Sequence, residues 1–209
     1  MKFLTIFLLI LSIIGCDNSH IEIHKSIGKS VHIPDTTNNW YAKQFDYPAY
    51  LRKIEITRQL RLTDLEKDTV NSEIRVWTMP SNYNPFGLLI LKSIDNKWRI
   101  SHITYFVDLS NQNTIKIDSV STNKMPEKNV ATSDFKDLNI EKMWTIPSQS
   151  EMKNGQAFGC NDGHAILIEL SDKNRYKYSL YMCPDLQSTK DSTFGNVEYF
   201  IKTVNKLAH

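Results

Sequence analysis

An excess of charge of either sign is missing from this chain. Lys and Arg number 25 against 23 Asp and Glu, a formal net charge of +2 over 209 residues. That near-neutral balance gives no electrostatic case for nucleic acid. The catalytic templates H-E-x-x-H, G-x-S-x-G and C-x-x-C are missing too, so no catalytic residue and no cofactor is assigned. No internal repeat of fixed period is visible. Cysteine is scarce, at three residues, and the only long apolar run, Phe3 to Ile14, is too short to favour a membrane-spanning helix. A chain of this length forms one domain with a real core.

The clearest pattern lies between Cys160 and Cys183. Ile166, Ile168 and Leu170 alternate with Ala165, Leu167 and Glu169, and after Ser171 to Asn174 the alternation resumes with Tyr176, Tyr178 and Leu180. Alternation on both sides of a short polar loop predicts a β-hairpin. With Asp172, Lys173 and Asn174 as a three-residue loop and Asn174 left-handed, Ile166 faces Leu180, Ile168 faces Tyr178 and Leu170 faces Tyr176. The other face then pairs Glu169 with Lys177. A one-residue slip is disfavoured because it would expose the apolar set.

Lys2, the apolar run and the sequence Ile13-Ile14-Gly15-Cys16 resemble a bacterial lipoprotein signal with its lipobox. The resemblance implies removal of residues 1–15, lipidation of Cys16 and a membrane-anchored protein of the bacterial cell envelope, facing the periplasm or the cell exterior. The anchor makes the membrane a partner. It also leaves Cys160 and Cys183 as an even pair in an oxidising compartment, either two buried thiols or, as export favours, a disulfide. In strict register the two are not opposite, so residues 161–163 must turn or bulge for the sulfurs to meet.

Residues 16–39 are polar and read as a flexible tether. Gly28-Lys29-Ser30 lacks the first glycine and the preceding strand of a phosphate-binding loop and is rejected as one. His20, Glu22 and His24 alternate, but three ligands on a tether without supporting groups are incidental, and no metal is assigned. Residues 40–209 form the body. Trp40 to Tyr50 is aromatic-rich and packs onto it, with Trp40, Tyr41 and Tyr47 as candidate sugar-stacking residues. Leu51 to Leu65 reads as a strand pair or strand plus loop. Strands follow from Glu73 to Pro80, at Leu88 to Leu91, Trp98 to Val107 and Ile115 to Val120. Ser133 is placed to cap a short helix running to about Met143. After an irregular stretch from Pro184 to Thr193, Val197, Phe200, Ile201, Val204 and Leu207 form one apolar stripe of a C-terminal helix. The expected fold is α+β: a mainly antiparallel sheet of successive hairpins covered by that helix.

Arg75-Val76-Trp77, Asn84-Pro85, Trp144 to Pro147, Asp162-Gly163, Ile168-Glu169, Tyr178 and Cys183-Pro184 together resemble a group of small bacterial envelope or secreted proteins. His164, after the Asp-Gly, departs from that pattern. The resemblance brings no activity. Asp162, His164 and Glu169 are the nearest approach to a hydrolytic set, but Asp-Gly before a strand is ordinary turn chemistry. His102 reads as a sheet-surface residue. The leading expectation is a non-catalytic module that binds an envelope protein, of the inhibitor or immunity type. The alternative is a glycan-binding or glycan-processing lipoprotein using Trp40, Tyr41 and Tyr47.

Overall fold

A computed structural model describes residues 29–80, 84–108, 115–121, 127–155 and 163–208. Among them, eight strands form one sheet: β1 (Ser30–His32), β2 (Glu73–Pro80), β3 (Phe86–Ile94), β4 (Lys97–Val107), β5 (Ile117–Val120), β6 (Lys128–Val130), β7 (His164–Ser171) and β8 (Arg175–Met182). The order is β1-β8-β7-β2-β3-β4-β5, with β6 also on β4. Every pairing is antiparallel except β1 on β8. With helices packed on it and a C-terminal helix, this is the expected α+β fold.

The central strands β2, β7 and β8 are buried on both faces, and that decides their register. Ile74, Val76, Leu89, Leu91, Ile166, Ile168 and Leu170 point to one side, under α2 (Thr132–Lys136), α3 (Ile140–Thr145) and α5 (Ser192–Ala208). Trp77, Leu88, Ile90, Leu167, Tyr176, Tyr178 and Leu180 point to the other, where α1 (Tyr47–Gln59) packs through Ile56. Ile166 therefore pairs with Tyr181, Ile168 with Ser179 and Leu170 with Lys177. This is a one-residue slip from the register expected from the sequence. The slip exposes nothing, because each face of the hairpin has its own core to enter. It also separates Glu169 from Lys177: Glu169 lies opposite Tyr178, and the two charges leave the sheet on opposite faces. Asn174 is not left-handed. Instead the Asp172 carboxylate accepts hydrogen bonds from the backbone N–H groups of Asn174 and Arg175 at 2.8 Å each and holds the turn.

The β3–β4 turn follows its local chemistry more closely. Asp95 and Asn96 both take positive φ, 51° and 60°, the paired left-handed geometry of a tight hairpin turn. At the C-terminal end, Phe194, Val197, Phe200 and Val204 of α5 are buried as the stripe requires, with Ile201 and Leu207 half-buried beside them. Burial of each such side chain is worth about 1.5–3 kcal/mol.

Three expectations are corrected. The tether does not extend to Asn39, because residues 30–32 join the sheet and Lys29 is buried. Its ammonium donates to the carbonyls of Leu65 at 2.8 Å and Asp68 at 2.5 Å and to the Ser171 hydroxyl at 2.7 Å. Leu51 to Gln59 is helix, not strand, and continues a π-helical turn at Ala42–Asp46. Its buried residues are Lys53, Ile56 and Thr57, so the inward face carries no apolar stripe to betray it. Ser133 does not cap its helix. Ala131 occupies that position, and the left-handed Asn139 (φ 46°) divides the expected helix into α2 and α3. The stretch after β8 also holds one helical turn, α4 (Pro184–Gln187).

Candidate functional site

An open cleft of about 410 Å³ lies at the β1 edge of the sheet, lined by Ser30, His32, Trp144, Glu151, Arg175 and Lys177 among others. Its construction follows from strand periodicity. Arg175 and Lys177 alternate along β8 with Tyr176, so both leave the sheet on the face of α3. The parallel pairing of β1 sets Ser30 beside Arg175 and His32 beside Lys177. The last turn of α3 supplies Trp144, and the 3₁₀ turn Gln149–Glu151 that follows it supplies Glu151.

Arg175 is the outer wall. Its guanidinium carbon sits 4.2 Å from the Trp144 ring centre, within cation–π range. Its Nε donates to Asp172 at 2.8 Å, and its Nη2 lies 3.3 Å from Glu141. Opposite, His32 Nε2 approaches Glu151 Oε1 at 3.0 Å. Glu151 is fixed in turn by a capping box, in which its carboxylate accepts from the Ser148 N–H at 2.9 Å. Burial would raise the Glu151 carboxyl, but the His32 and Ser148 hydrogen bonds bring it below its ordinary value.

Lys177 forms the floor and is buried. Its ammonium donates to the carbonyls of Met143 at 3.0 Å, Trp144 at 2.9 Å and Ile146. Three donors thus meet three carbonyls at the end of α3, which also suits the helix dipole. Burial pushes Lys177 down to about 8, against the charge of Glu151. Next to the cleft, the β8 edge that β1 leaves uncovered is closed by side chains. The Leu180 N–H donates to the Ser148 hydroxyl at 2.9 Å and the Met182 N–H to Gln149 Oε1 at 2.7 Å, so little backbone is left open to another strand there.

The opposite face carries a buried polar network centred on Glu169. Its Oε2 accepts from Trp77 Nε1 at 2.7 Å and its Oε1 from the Tyr176 hydroxyl at 2.9 Å. Lys53 Nζ lies 3.3 Å from Oε1 and also reaches Glu66 at 3.1 Å. Burial alone would raise the Glu169 carboxyl, but Lys53 and Arg75, with the Trp77 and Tyr176 hydrogen bonds, hold it below its ordinary value. Every one of these groups is committed to another inside the core, so the network ties α1 to the sheet.

The residues singled out in the sequence are scattered by this fold. Tyr41 is buried, its hydroxyl accepting from Gln149 Nε2 at 3.1 Å, while Trp40 is 65% exposed and Tyr47 half-buried. The three do not share one stacking surface. His164 lies 3.5 Å from Asp185 on the face of Ile166, opposite to Glu169, so the hydrolytic set is not assembled. His102 is half-buried on β4. Cys16, Cys160, Asp162 and the His20, Glu22, His24 group lie outside the described residues. Cys183 is fully buried at the end of β8. Sequence reasoning missed His32, Trp144, Glu151, Arg175 and Lys177 as a group. The Arg-x-Lys spacing on a strand was the available signal, but His32 reaches the group only through the parallel pairing of β1. No family model, no curated protein and no solved structure matches this chain.

Proposed function

We propose that this chain is a lipid-anchored cell-envelope protein, held through Cys16, whose domain is a protein-binding module that receives part of its partner in the β1–β8 cleft. The observation that carries the reading is the Arg175–Trp144 stack facing the His32–Glu151 pair across an open cleft. Arg and Trp are the side chains that most often dominate protein interfaces, because they offer a large rigid contact area with polar tips. Here their supports, Asp172, Glu141 and Lys177, hold the platform in place before a partner arrives, which lowers the ordering cost of binding. The lipobox supports the anchor, and a disulfide between Cys160 and Cys183 belongs to the same reading.

The test is photo-crosslinking in the native envelope. A photoreactive residue at Ser30 or at Thr145, both exposed on the cleft rim, is expected to capture the same protein, and Arg175→Ala is expected to abolish the adduct. The control position is Lys190, exposed beyond the far end of β8. Absence of an adduct from the rim, or the same adduct from Lys190, sinks the proposal.

A further inference from the structure

We infer that the outward face of α1 and its π-helical first turn is a second docking surface, and that its occupant is the anionic lipid surface of the bilayer. The helix presents two unlike faces. Lys53, Ile56 and Thr57 turn inward. Leu51 and Ile54 turn outward with 47% and 44% of their surface exposed, and Trp40, two residues before the π-helical segment, is 65% exposed. Tyr47, Leu51 and Ile54 follow one another at i, i+4 and i+7, so they share a stripe along the outer face. Large apolar groups on this scale, gathered along one helix, mark an interaction surface.

Two observations say what covers it. The first is charge. Lys43, Arg52, Arg58 and Arg61 are all exposed around the stripe; of the acids near them, Glu55 is half-buried and pairs with Arg58, and the exposed Asp64, beyond the helix, pairs with Lys67. Asp46, the other acid of the segment, is buried. An aromatic and aliphatic stripe bordered by Lys and Arg is the composition of helices that lie in the headgroup region of anionic bilayers. The second is the path of the chain. It enters the domain at Lys29, whose ammonium is held by the carbonyls of Leu65 and Asp68 in the loop that follows α1. The stretch from Cys16 to Lys29 spans at most roughly 45 Å when fully extended, about the diameter of a domain of this size. The helix and the root of the anchor therefore lie on the same side of the sheet, within reach of the same membrane.

This inference rests on the lipid-anchor reading only for the nearness of the bilayer, and one experiment separates the two. The mature full-length protein is placed in vesicles of phosphatidylcholine and phosphatidylglycerol in which part of the phosphatidylcholine carries brominated acyl chains. Brominated chains are expected to quench a tryptophan component that Trp40→Phe removes. Leu51→Glu with Ile54→Glu should lose the quenching without lowering the melting temperature, since both side chains are exposed. Omitting phosphatidylglycerol should weaken it. Trp40 that stays accessible to aqueous iodide and unquenched by the lipid overturns the inference, as does quenching retained in the double variant or unchanged without anionic lipid. Shielding from both quenchers points to a second copy or a protein on the stripe and equally overturns it. The mass of the N-terminal peptide reports Cys16 lipidation separately. If Cys16 carries no lipid the anchor reading fails, and quenching of protein added directly to the same vesicles still decides the docking.

Discussion

Lys53 and Glu169 meet inside the protein, with Nζ 3.3 Å from Oε1 and side-chain exposures of 5% and 1%. The lysine comes from a helix and the glutamate from a central strand, so the pair joins the two layers that enclose one of the cores. A buried ion pair of this kind contributes little over a well-packed apolar substitute, but it is costly to break from one side.

Glu169→Gln is therefore expected to destabilise the fold by about 3 kcal/mol, because it leaves the buried Lys53 ammonium with the partly exposed Glu66 as its one carboxylate and weakens the Trp77 and Tyr176 hydrogen bonds. Adding Lys53→Met should recover part of the loss, since the buried ammonium is then gone and the partly exposed Glu66 can turn to water. Urea unfolding of the two single variants and the double variant measures the coupling. Additive effects would show that the two residues act independently.

Much of the sheet was legible and the site was not, and the difference is physical. Strands β2, β3 and β4, the β7–β8 hairpin and α5 announce themselves because apolar periodicity reports burial of a face. The hairpin register failed for the same reason: periodicity says that alternate residues are buried, and here both alternating sets are, so it cannot tell Ile168 opposite Tyr178 from Ile168 opposite Ser179. Helix α1 escaped because its core-facing positions include Thr57 and Lys53, and the burial of Lys53 depends on Glu169 and Tyr176, far away in sequence. Strand β1 escaped because its start is fixed by Lys29 reaching the Leu65 and Asp68 carbonyls. A cleft assembled from β1, α3 and β8 inherits all of these non-local dependencies.

Asp46 should give the stability curve a slope opposite to that of the paired acids. Burial pushes its carboxyl up to about 6, only partly offset by the hydrogen bond from Ser148. The folded state then holds the Asp46 proton more tightly than the unfolded chain, whose aspartate titrates near 3.8. The stabilisation from this group is fully present below that lower value and is lost as the pH rises through about 6. Asp46→Asn removes the ionisation, so the variant should gain on the wild type by roughly 2–3 kcal/mol between about pH 4 and pH 7. Thermal melts of both proteins across that range test it. Parallel curves would mean that Asp46 does not titrate in the window.

Lys177→Met keeps the side-chain stem in the cleft floor and removes the ammonium. The carbonyls of Met143, Trp144 and Ile146 then lose their donor, and leaving buried acceptors unsatisfied costs about 1–3 kcal/mol for each group that water does not reach. A loss of about 3 kcal/mol in urea unfolding is expected. The end of α3 should also exchange amide hydrogens faster, while β2 and β3 keep their protection. Uniform loss of protection would instead place Lys177 in the global unfolding unit and not in a local tie.

The mouth of the hairpin supplies the last prediction. Cys183 is fully buried, its N–H donates to the His164 carbonyl at 2.8 Å, and it takes a left-handed conformation with φ 45°, a geometry that costs a non-glycine residue about 1–2 kcal/mol. A disulfide to Cys160 offers a reason to hold the residue there, since it would close a loop around β7 and β8 and remove freedom from the unfolded chain. A peptide map of the unreduced protein is expected to show the Cys160 and Cys183 peptides joined, and Cys183→Ser is expected to lower stability by about 3 kcal/mol for a loop of this size. The same loss should follow reduction of the wild type, while reduction should leave Cys183→Ser unchanged. Alkylation of both cysteines in the unreduced, unfolded protein would show that no such bond exists, and the left-handed Cys183 would then have to be explained by the chain turning from β8 into Pro184 alone.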